Sequence, residues 1–162
     1  MSKILVAGIG NKYYGDDSFG PRVIEALMAK NLPDDVEARD VGLCGSTLAP
    51  DLGDYELVIF VDAVMKGGKP GTIYRTEIKA DQVKELRPED VMSFTFSIHE
   101  TGLEQLLSFA KKIGTLPPTT IVFGCEILEI TLSETLSRAV EAAVRSTVEL
   151  IFAELQRYRE RK

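Results

Sequence analysis

The chain has 162 residues, close to the size of one average domain. Hydrophobic residues make up 44% and charged residues 27%, a mixture typical of a globular protein with a substantial core and not of a disordered one. The net charge of −6 argues against a nucleic acid or an anionic membrane as partner, because both require a basic surface. We therefore expect a soluble cytoplasmic protein with a single domain over residues 1–162.

The sequence contains no pattern typical of a membrane span, a secretory signal or a disulfide framework. The longest apolar runs, Ile4–Ile9 and Leu57–Val61, are too short to cross a bilayer. The N-terminus lacks the small-residue cleavage site of a signal peptide. The two cysteines, Cys44 and Cys125, lie far apart and outside any CxxC pattern, so we expect neither a disulfide nor a cysteine-rich zinc site.

Apolar runs alternate with amphipathic segments in the first half of the chain. The runs predict strands at Lys3–Gly8, Val36–Val41 and Glu56–Val61, the last of which ends at Asp62. Apolar residues at helical spacing predict a helix from Ser18 to Lys30, after the polar loop Gly10–Gly20, and a short helix near Ser46–Leu52.

A glycine-rich turn, Lys66–Gly71, precedes the fourth predicted strand, Thr72–Thr76. This connection is too short for a crossover helix, so we expect the strand to run antiparallel to its neighbour at an edge of the sheet. The polar stretch Lys79–Val91 is expected to follow the surface. The last predicted strand is Thr119–Phe123, which ends at Gly124.

Two S/T-x-x-E patterns predict the starts of the remaining helices. Ser97 and Glu100 fit a capping box before a helix that carries leucines and an alanine on one face: Leu103, Leu106, Leu107 and Ala110. Thr131 and Glu134 fit a second capping box before a long amphipathic helix that reaches about Tyr158.

Strands that alternate with helices predict a three-layer α/β domain. We expect an open, mostly parallel, five-stranded twisted sheet with one antiparallel edge strand and helices on both faces. In such folds ligands bind outside the carboxyl ends of the strands. The residues that follow the strands are therefore the first place to look for a functional site.

Three ionisable positions fall at these strand ends or beside them. Asp17, with Asp16 beside it, follows the first strand, Asp62 ends the third, and His99 lies in the first turn of the helix capped by Ser97. Each could be structural: the aspartates as helix caps and the histidine as a partly buried polar side chain. Together, two carboxylates and an imidazole suit a divalent metal such as zinc or nickel, with positions left open for water or substrate.

A glycine- and aspartate-rich motif, Gly8-Ile-Gly-Asn-Lys-Tyr-Tyr-Gly-Asp-Asp-Ser-Phe-Gly-Pro21, follows the first apolar run. It resembles the GxGN…GD(D/E)xxG opening of the nickel–iron hydrogenase maturation endopeptidases. Further blocks match in the family order and span almost the whole chain: Asp40-Val-Gly-Leu-Cys-Gly45, Val61-Asp62-Ala63, Lys69-Pro-Gly-Thr72 and Ser97-Ile-His-Glu-Thr-Gly-Leu103. The chain departs from the family after its last predicted strand, where Gly124-Cys-Glu126 lacks the usual proline.

The resemblance implies an endopeptidase that removes the C-terminal extension of a nickel–iron hydrogenase large-subunit precursor after nickel insertion. It assigns the family's metal-contacting residues to Asp17, Asp62 and His99, which are also the expected catalytic residues. The nickel belongs to the precursor, and zinc or cadmium is expected to occupy the site in vitro. The residues Asp40, Gly42, Cys44 and Gly45 match a family loop that implies a substrate cleft.

Other functions fit parts of the sequence. A non-catalytic nickel-binding maturation chaperone would use the same three ligands and differs only in activity. A receiver-type signalling domain also has acidic residues after its first and third strands, but the lysine of its last strand is missing here. A dinucleotide-binding domain would need a third glycine where Tyr13 stands. No serine or cysteine nucleophile with a partnered histidine is evident, and Cys44 is the one thiol candidate.

Overall fold

The computed structural model describes residues 3–43, 45–84 and 98–162, without the side chains of residues 45–46 and 98–101. Its strands are β1 (Ile4–Ile9), β2 (Val36–Gly42), β3 (Leu57–Val64), β4 (Ile73–Lys79) and β5 (Thr119–Glu126). Its α-helices are α1 (Phe19–Met28), α2 (Ile98–Ile113) and α3 (Arg138–Glu160), and 3₁₀ turns cover Gly15–Ser18, Gly45–Asp54 and Ala80–Gln82.

The five strands form one sheet in the order β2-β1-β3-β5-β4. The pairs β1–β2, β1–β3 and β3–β5 are parallel, and β4 is antiparallel to β5 at the edge. The predicted fold class is confirmed. The fourth strand is an antiparallel edge strand, as expected from its short connection, and it extends beyond the predicted Thr76 to Lys79.

The side chains of the central strands alternate between two apolar layers. In β1, Ile4 and Val6 belong to the core that α1 and α3 cover, whereas Leu5 and Ala7 belong to a second core with the Gly45–Asp54 turn and α2. Both faces of the sheet are therefore buried, which explains why the strands are almost continuously apolar.

Two predicted strand ends are wrong. The strand β3 does not end at Asp62, and β5 does not end at Gly124, because the two strands stay paired up to Val64 and Glu126. The pairing satisfies the backbone groups of these last residues. Hydropathy reports side-chain burial and not backbone pairing, so it placed the ends where the apolar runs stop.

The predicted capping box at Thr131 and Glu134 is also wrong, because α3 begins only at Arg138, with Ser137 at its N-cap. The preceding segment bonds instead to the loop after β1. The Gly15 N–H donates to the Ser133 carbonyl at 2.6 Å, and the Ser133 N–H donates to the Tyr13 carbonyl at 3.0 Å. These tertiary hydrogen bonds hold the segment out of a helix.

The other predicted capping box, at Ser97 and Glu100, lies outside the described residues and side chains, as do residues 85–91 of the predicted surface stretch. The helix itself is confirmed as α2, and its Leu106, Leu107 and Ala110 are buried. Within the ranges that the structure describes, no helix combines the length and apolarity that a membrane span requires.

An ion pair joins the edge strand to α3. The Arg75 guanidinium on β4 donates two hydrogen bonds, both 2.9 Å long, to the two carboxylate oxygens of Glu154, which is only 3% exposed. Burial opposes ionisation of Glu154, but the hydrogen bonds and charge of Arg75, together with the charge of Arg157, hold its pKa below the ordinary value.

Candidate active site

Asp17 lies in the 3₁₀ turn between β1 and α1. Its side chain is 4% exposed, and its Oδ2 accepts a hydrogen bond of 3.1 Å from the backbone N–H of Asn11, across the same loop. The structure does not make Asp17 an N-cap of α1, since Ser18 occupies that position. The loop therefore holds a buried carboxylate at the carboxyl end of β1.

Asp62 lies inside β3, opposite Gly124 of β5. Because side chains alternate along a strand, it shares a face with Val58 and Phe60, which belong to the core beneath α2. Its side chain is 3% exposed and lines a cavity of about 200 Å³. Leu103 of α2 lines the same cavity, so Asp62 and the beginning of that helix face one space.

Close contact at Gly20 brings the two aspartates to the same edge of the sheet. A Cβ placed on Gly20 would lie 2.2 Å from the Ile9 carbonyl oxygen and 2.6 Å from that of Val61. Only glycine therefore lets the start of α1 approach the end of β1 and Val61 of β3 this closely. Asp17 lies just before this contact in the chain, and Asp62 directly follows Val61.

His99 lies in the first turn of α2, four residues before Leu103, but its side chain is outside the described part of the structure. Among the described side chains, no three His, Cys, Asp or Glu residues form a group that could hold a metal ion. The described side chains include those of Asp17 and Asp62 but not that of His99. The assignment of Asp17, Asp62 and His99 to metal binding and catalysis therefore stays a prediction.

The predicted substrate cleft lies partly at the end of β2. Asp40 is exposed there, and its Oδ1 accepts a 3.0 Å hydrogen bond from the Gly42 N–H, so it shapes a local turn. The Gly42 carbonyl accepts a hydrogen bond from the Gly10 N–H, which joins this turn to the loop of Asp17. Gly45 begins the following 3₁₀ turn, and Cys44 lies outside the described residues.

Cys125 is buried in β5 and is unsuited to nucleophilic attack. Burial, with the nearby negative charges of Asp16 and Glu126, raises the pKa of its thiol to about 12. Since the thiolate is the nucleophilic form, this cysteine is unreactive at neutral pH.

Glu126 at the end of β5 is a buried carboxylate with four described hydrogen bonds. The Lys66 N–H donates to both of its oxygens (2.8 and 3.2 Å), and the Gly68 N–H and the Tyr74 hydroxyl donate to Oε1 at 2.9 and 2.8 Å. Burial opposes its ionisation, but these donors outweigh burial and hold its pKa below the ordinary value. Glu126 thereby fixes the turn between β3 and β4.

The role of Glu126 in fixing this turn was not predicted from the sequence. The available signal was an acidic residue directly after an apolar run, together with a glycine-rich turn whose backbone N–H groups need acceptors. A carboxylate bound by successive backbone N–H groups is a common solution for such turns. The β3–β5 pairing decides which carboxylate accepts the N–H groups of this turn, and the residue pattern does not reveal that pairing.

The chain is similar to known proteins over most of its length. The HycI family, described as hydrogenase maturation protease, matches residues 21–154. The hydrogenase 2 maturation protease of Escherichia coli strain K12 is 34% identical over 161 residues, covering 95% of this chain and 91% of that protein. A match of this extent leaves no large part of the fold outside the comparison.

Solved structures give the same result. The hydrogenase 2 maturation peptidase from a Thaumarchaeota archaeon has a TM-score of 0.74 and 43% identity, covering 95% of this chain and 98% of that one. The hydrogenase maturating endopeptidase HybD from Escherichia coli has a TM-score of 0.80 and 30% identity, covering 96% and 93% of the two chains.

The fold and its relatives define a peptidase. More particularly, the chain belongs to the hydrogenase maturation protease family. The resemblance drawn from the motifs is confirmed, and the receiver and dinucleotide-binding alternatives are not supported.

Proposed function

We propose that this peptidase removes the C-terminal extension of a nickel–iron hydrogenase large-subunit precursor once nickel has been inserted. It recognises the nickel in the precursor through Asp17, Asp62 and His99. The observation that carries this proposal is the presence of two buried carboxylates, Asp17 and Asp62, on loops and strands that meet at the carboxyl edge of the sheet.

The position of α2 supports the choice of His99 as third ligand. Leu103 lines the cavity of Asp62, and His99 precedes it by four residues, about one helical turn. Residues four apart lie on the same side of a helix. A carboxylate pair and an imidazole at this edge would complete the coordination of a nickel ion that the precursor already holds.

Recognition through nickel makes the reaction conditional on its insertion. Metal ligands must be deprotonated, so binding needs ionised aspartates and a neutral imidazole. A precursor without nickel would offer these groups no ion to share and would bind weakly. The enzyme would thereby distinguish loaded from empty precursors before cutting.

Peptide hydrolysis requires a polarised carbonyl and an activated water. A bound metal can supply both, and an ionised aspartate can accept the proton of the attacking water. Cys125 does not enter the reaction, because its thiol stays protonated. We assign the water-activating role to the same carboxylates that contact the nickel, Asp17 and Asp62.

The precursor is a protein, and exposed apolar side chains lie on the segments that follow β1, β3 and β5. Tyr13 and Tyr14 on the loop after β1 and Met65 after β3 are exposed, as are Leu128, Ile130 and Leu132 after β5. These loops follow the carboxyl ends of parallel strands, where the peptidase site is proposed. We name these six residues the apolar rim and assign to it the docking of the precursor. The cytoplasmic location expected from the sequence stays a prediction.

Incubation with a nickel-loaded precursor tests the proposal. Mass spectrometry should reveal a large subunit shortened at its C-terminus and a released peptide. Binding of the loaded precursor without any cleavage would instead favour the nickel-binding chaperone. Cleavage at internal sites would contradict the proposed specificity.

A further inference from the structure

We infer that Lys66 is a substrate-binding residue of this peptidase, which pairs with a carboxylate of the polypeptide substrate, and that Glu126 is the residue that positions it. The inference rests on the proposed function and adds a specificity determinant to the same site. It is carried by the hydrogen bonds of Glu126 and by the cavity that Lys66 shares with Asp62.

The first observation is that one carboxylate fixes both supports of Lys66. Glu126 accepts the Lys66 backbone N–H and also accepts the hydroxyl of Tyr74. The Lys66 ammonium lies 5.1 Å from the centroid of the Tyr74 ring, within the range of a cation–π interaction. The backbone of Lys66 and the ring on which its charged end rests are thus held by the same buried group.

The second observation is the charge pattern of the cavity. Lys66, Tyr74, Asp62 and Glu104 line the same space of about 200 Å³, and Lys66 is the only basic residue among the described residues that line it. A carboxylate entering this space meets attraction at the Lys66 corner and repulsion from the acidic residues. The cavity therefore orients an anionic group toward the turn between β3 and β4.

Lys66 is exposed, so its ammonium can meet a ligand from solvent, whereas Glu126 is buried. Pre-positioning lowers the side-chain entropy that a flexible lysine loses when it pairs with a ligand. Lys66 therefore acts mainly on substrate binding, because it pairs with a carboxylate of the substrate and is not assigned to water activation. Its loss should change KM and leave kcat nearly unchanged.

Michaelis kinetics with a nickel-loaded large-subunit precursor test the inference. Lys66→Met should raise KM about tenfold with kcat within about twofold, and Lys66→Arg should restore most of the affinity because it keeps the charge. Lys69→Met, which removes an exposed lysine of the same turn, is the matched control and should behave as the wild type. An unchanged KM for Lys66→Met, or a loss confined to kcat, would overturn the inference.

The positioning role has its own test. Tyr74→Phe removes the hydroxyl bonded to Glu126 but keeps the ring, and Glu126→Gln replaces the carboxylate at nearly constant volume. Both should raise KM severalfold at unchanged kcat, and neither should add to the effect of Lys66→Met in a double variant. Full additivity would show that Glu126 and Lys66 act independently. The Tyr74 variant keeps the test decisive if Glu126→Gln folds poorly.

The carboxylate can belong to an acidic side chain of the extension or to its C-terminus. A precursor whose acidic residues in the extension are changed to amides tests the side chains as the source. A precursor whose extension is lengthened by neutral residues moves the C-terminal carboxylate away and tests the C-terminus as the source. The dependence on Lys66 should disappear in one of these two substrates and persist in the other. If wild-type protein cleaves no precursor, the proposed function fails; if it cleaves all of them without dependence on Lys66, this inference alone fails.

Discussion

Both oxygens of the Asp16 carboxylate accept hydrogen bonds from Ser137, one from its backbone N–H at 2.7 Å and one from its hydroxyl at 2.8 Å. Asp16 thereby fixes the N-cap residue of α3 to the loop after β1. Its neighbour Asp17 instead lies buried at the carboxyl edge of the sheet. Two adjacent aspartates of one motif thus have different partners and should have separable roles.

The contrast gives a prediction for stability. Asp16→Ala removes both acceptors of Ser137 and should lower the free energy of unfolding by about 0.5–2 kcal/mol, the usual net contribution of one or two hydrogen bonds. Cleavage of the precursor by the folded variant should stay near the wild-type rate. Urea unfolding and a cleavage assay measure the two effects, and complete loss of cleavage in a folded Asp16 variant would place this residue in the reaction.

The opposite result is expected at the proposed nickel contacts. Asp17→Asn, Asp62→Asn and His99→Ala should each reduce cleavage by at least about a hundredfold, since each removes a metal contact or proton acceptor. Their circular dichroism spectra should match the wild type. The control is Asp34→Asn, because Asp34 is an exposed carboxylate before β2, at the amino end of that strand. Normal cleavage by any of the three folded variants would remove that residue from the site.

The class of the sheet was predictable from hydropathy and from the length of one connection. The buried runs of β1 and β3 and the short connection before β4 led to the correct sheet class. The strand ends at Val64 and Glu126 and the start of α3 were predicted wrongly, because pairing between distant segments sets them. Such pairing leaves no periodic signal in one sequence.

Asp17 and Asp62 stood out in the sequence because each follows an apolar run in a family motif, and both are buried in the structure. The metal contact assigned to them and to His99 stays a prediction. The turn-fixing role of Glu126 was missed because its partners, Lys66, Gly68 and Tyr74, lie more than fifty positions away in the chain. Only the folded sheet brings these groups together.

The ion pair between β4 and α3 predicts a pH-dependent contribution to stability. Glu154→Gln removes the buried negative charge that pairs with Arg75 and Arg157 and should lower the free energy of unfolding by about 1–3 kcal/mol at pH 7. Because the pKa of Glu154 is lowered in the folded state, its contribution is full above the unfolded pKa and is lost as the pH falls through the folded value.

Urea unfolding at pH 7 and pH 3 measures this contribution. The difference between wild type and Glu154→Gln should be large at pH 7 and smaller at pH 3. Glu149→Gln changes an exposed glutamate of the same helix and should leave stability within about 0.5 kcal/mol. An equal difference at both pH values would show that the charge of Glu154 does not stabilise the fold.

The apolar rim predicts a surface effect on precursor binding. Leu128 and Leu132 are 75% and 81% exposed, so changing both to Ser should leave the fold intact. Loss of their burial against the precursor should weaken binding by about 1–2 kcal/mol, or about five- to thirtyfold. The control is Met28→Ser, an exposed apolar residue at the end of α1. If calorimetry gives the double variant and the wild type the same affinity for the precursor, the precursor does not dock at the apolar rim.

The most direct test of nickel recognition compares one precursor in two states. Nickel-loaded and nickel-free samples of the same large subunit are incubated with equal amounts of the peptidase, and the mass of each C-terminus is followed over time. We expect the loaded sample to be shortened and the empty sample to stay intact, with Asp17→Asn inactive on both. Equal rates of shortening for the two samples would contradict recognition through the metal.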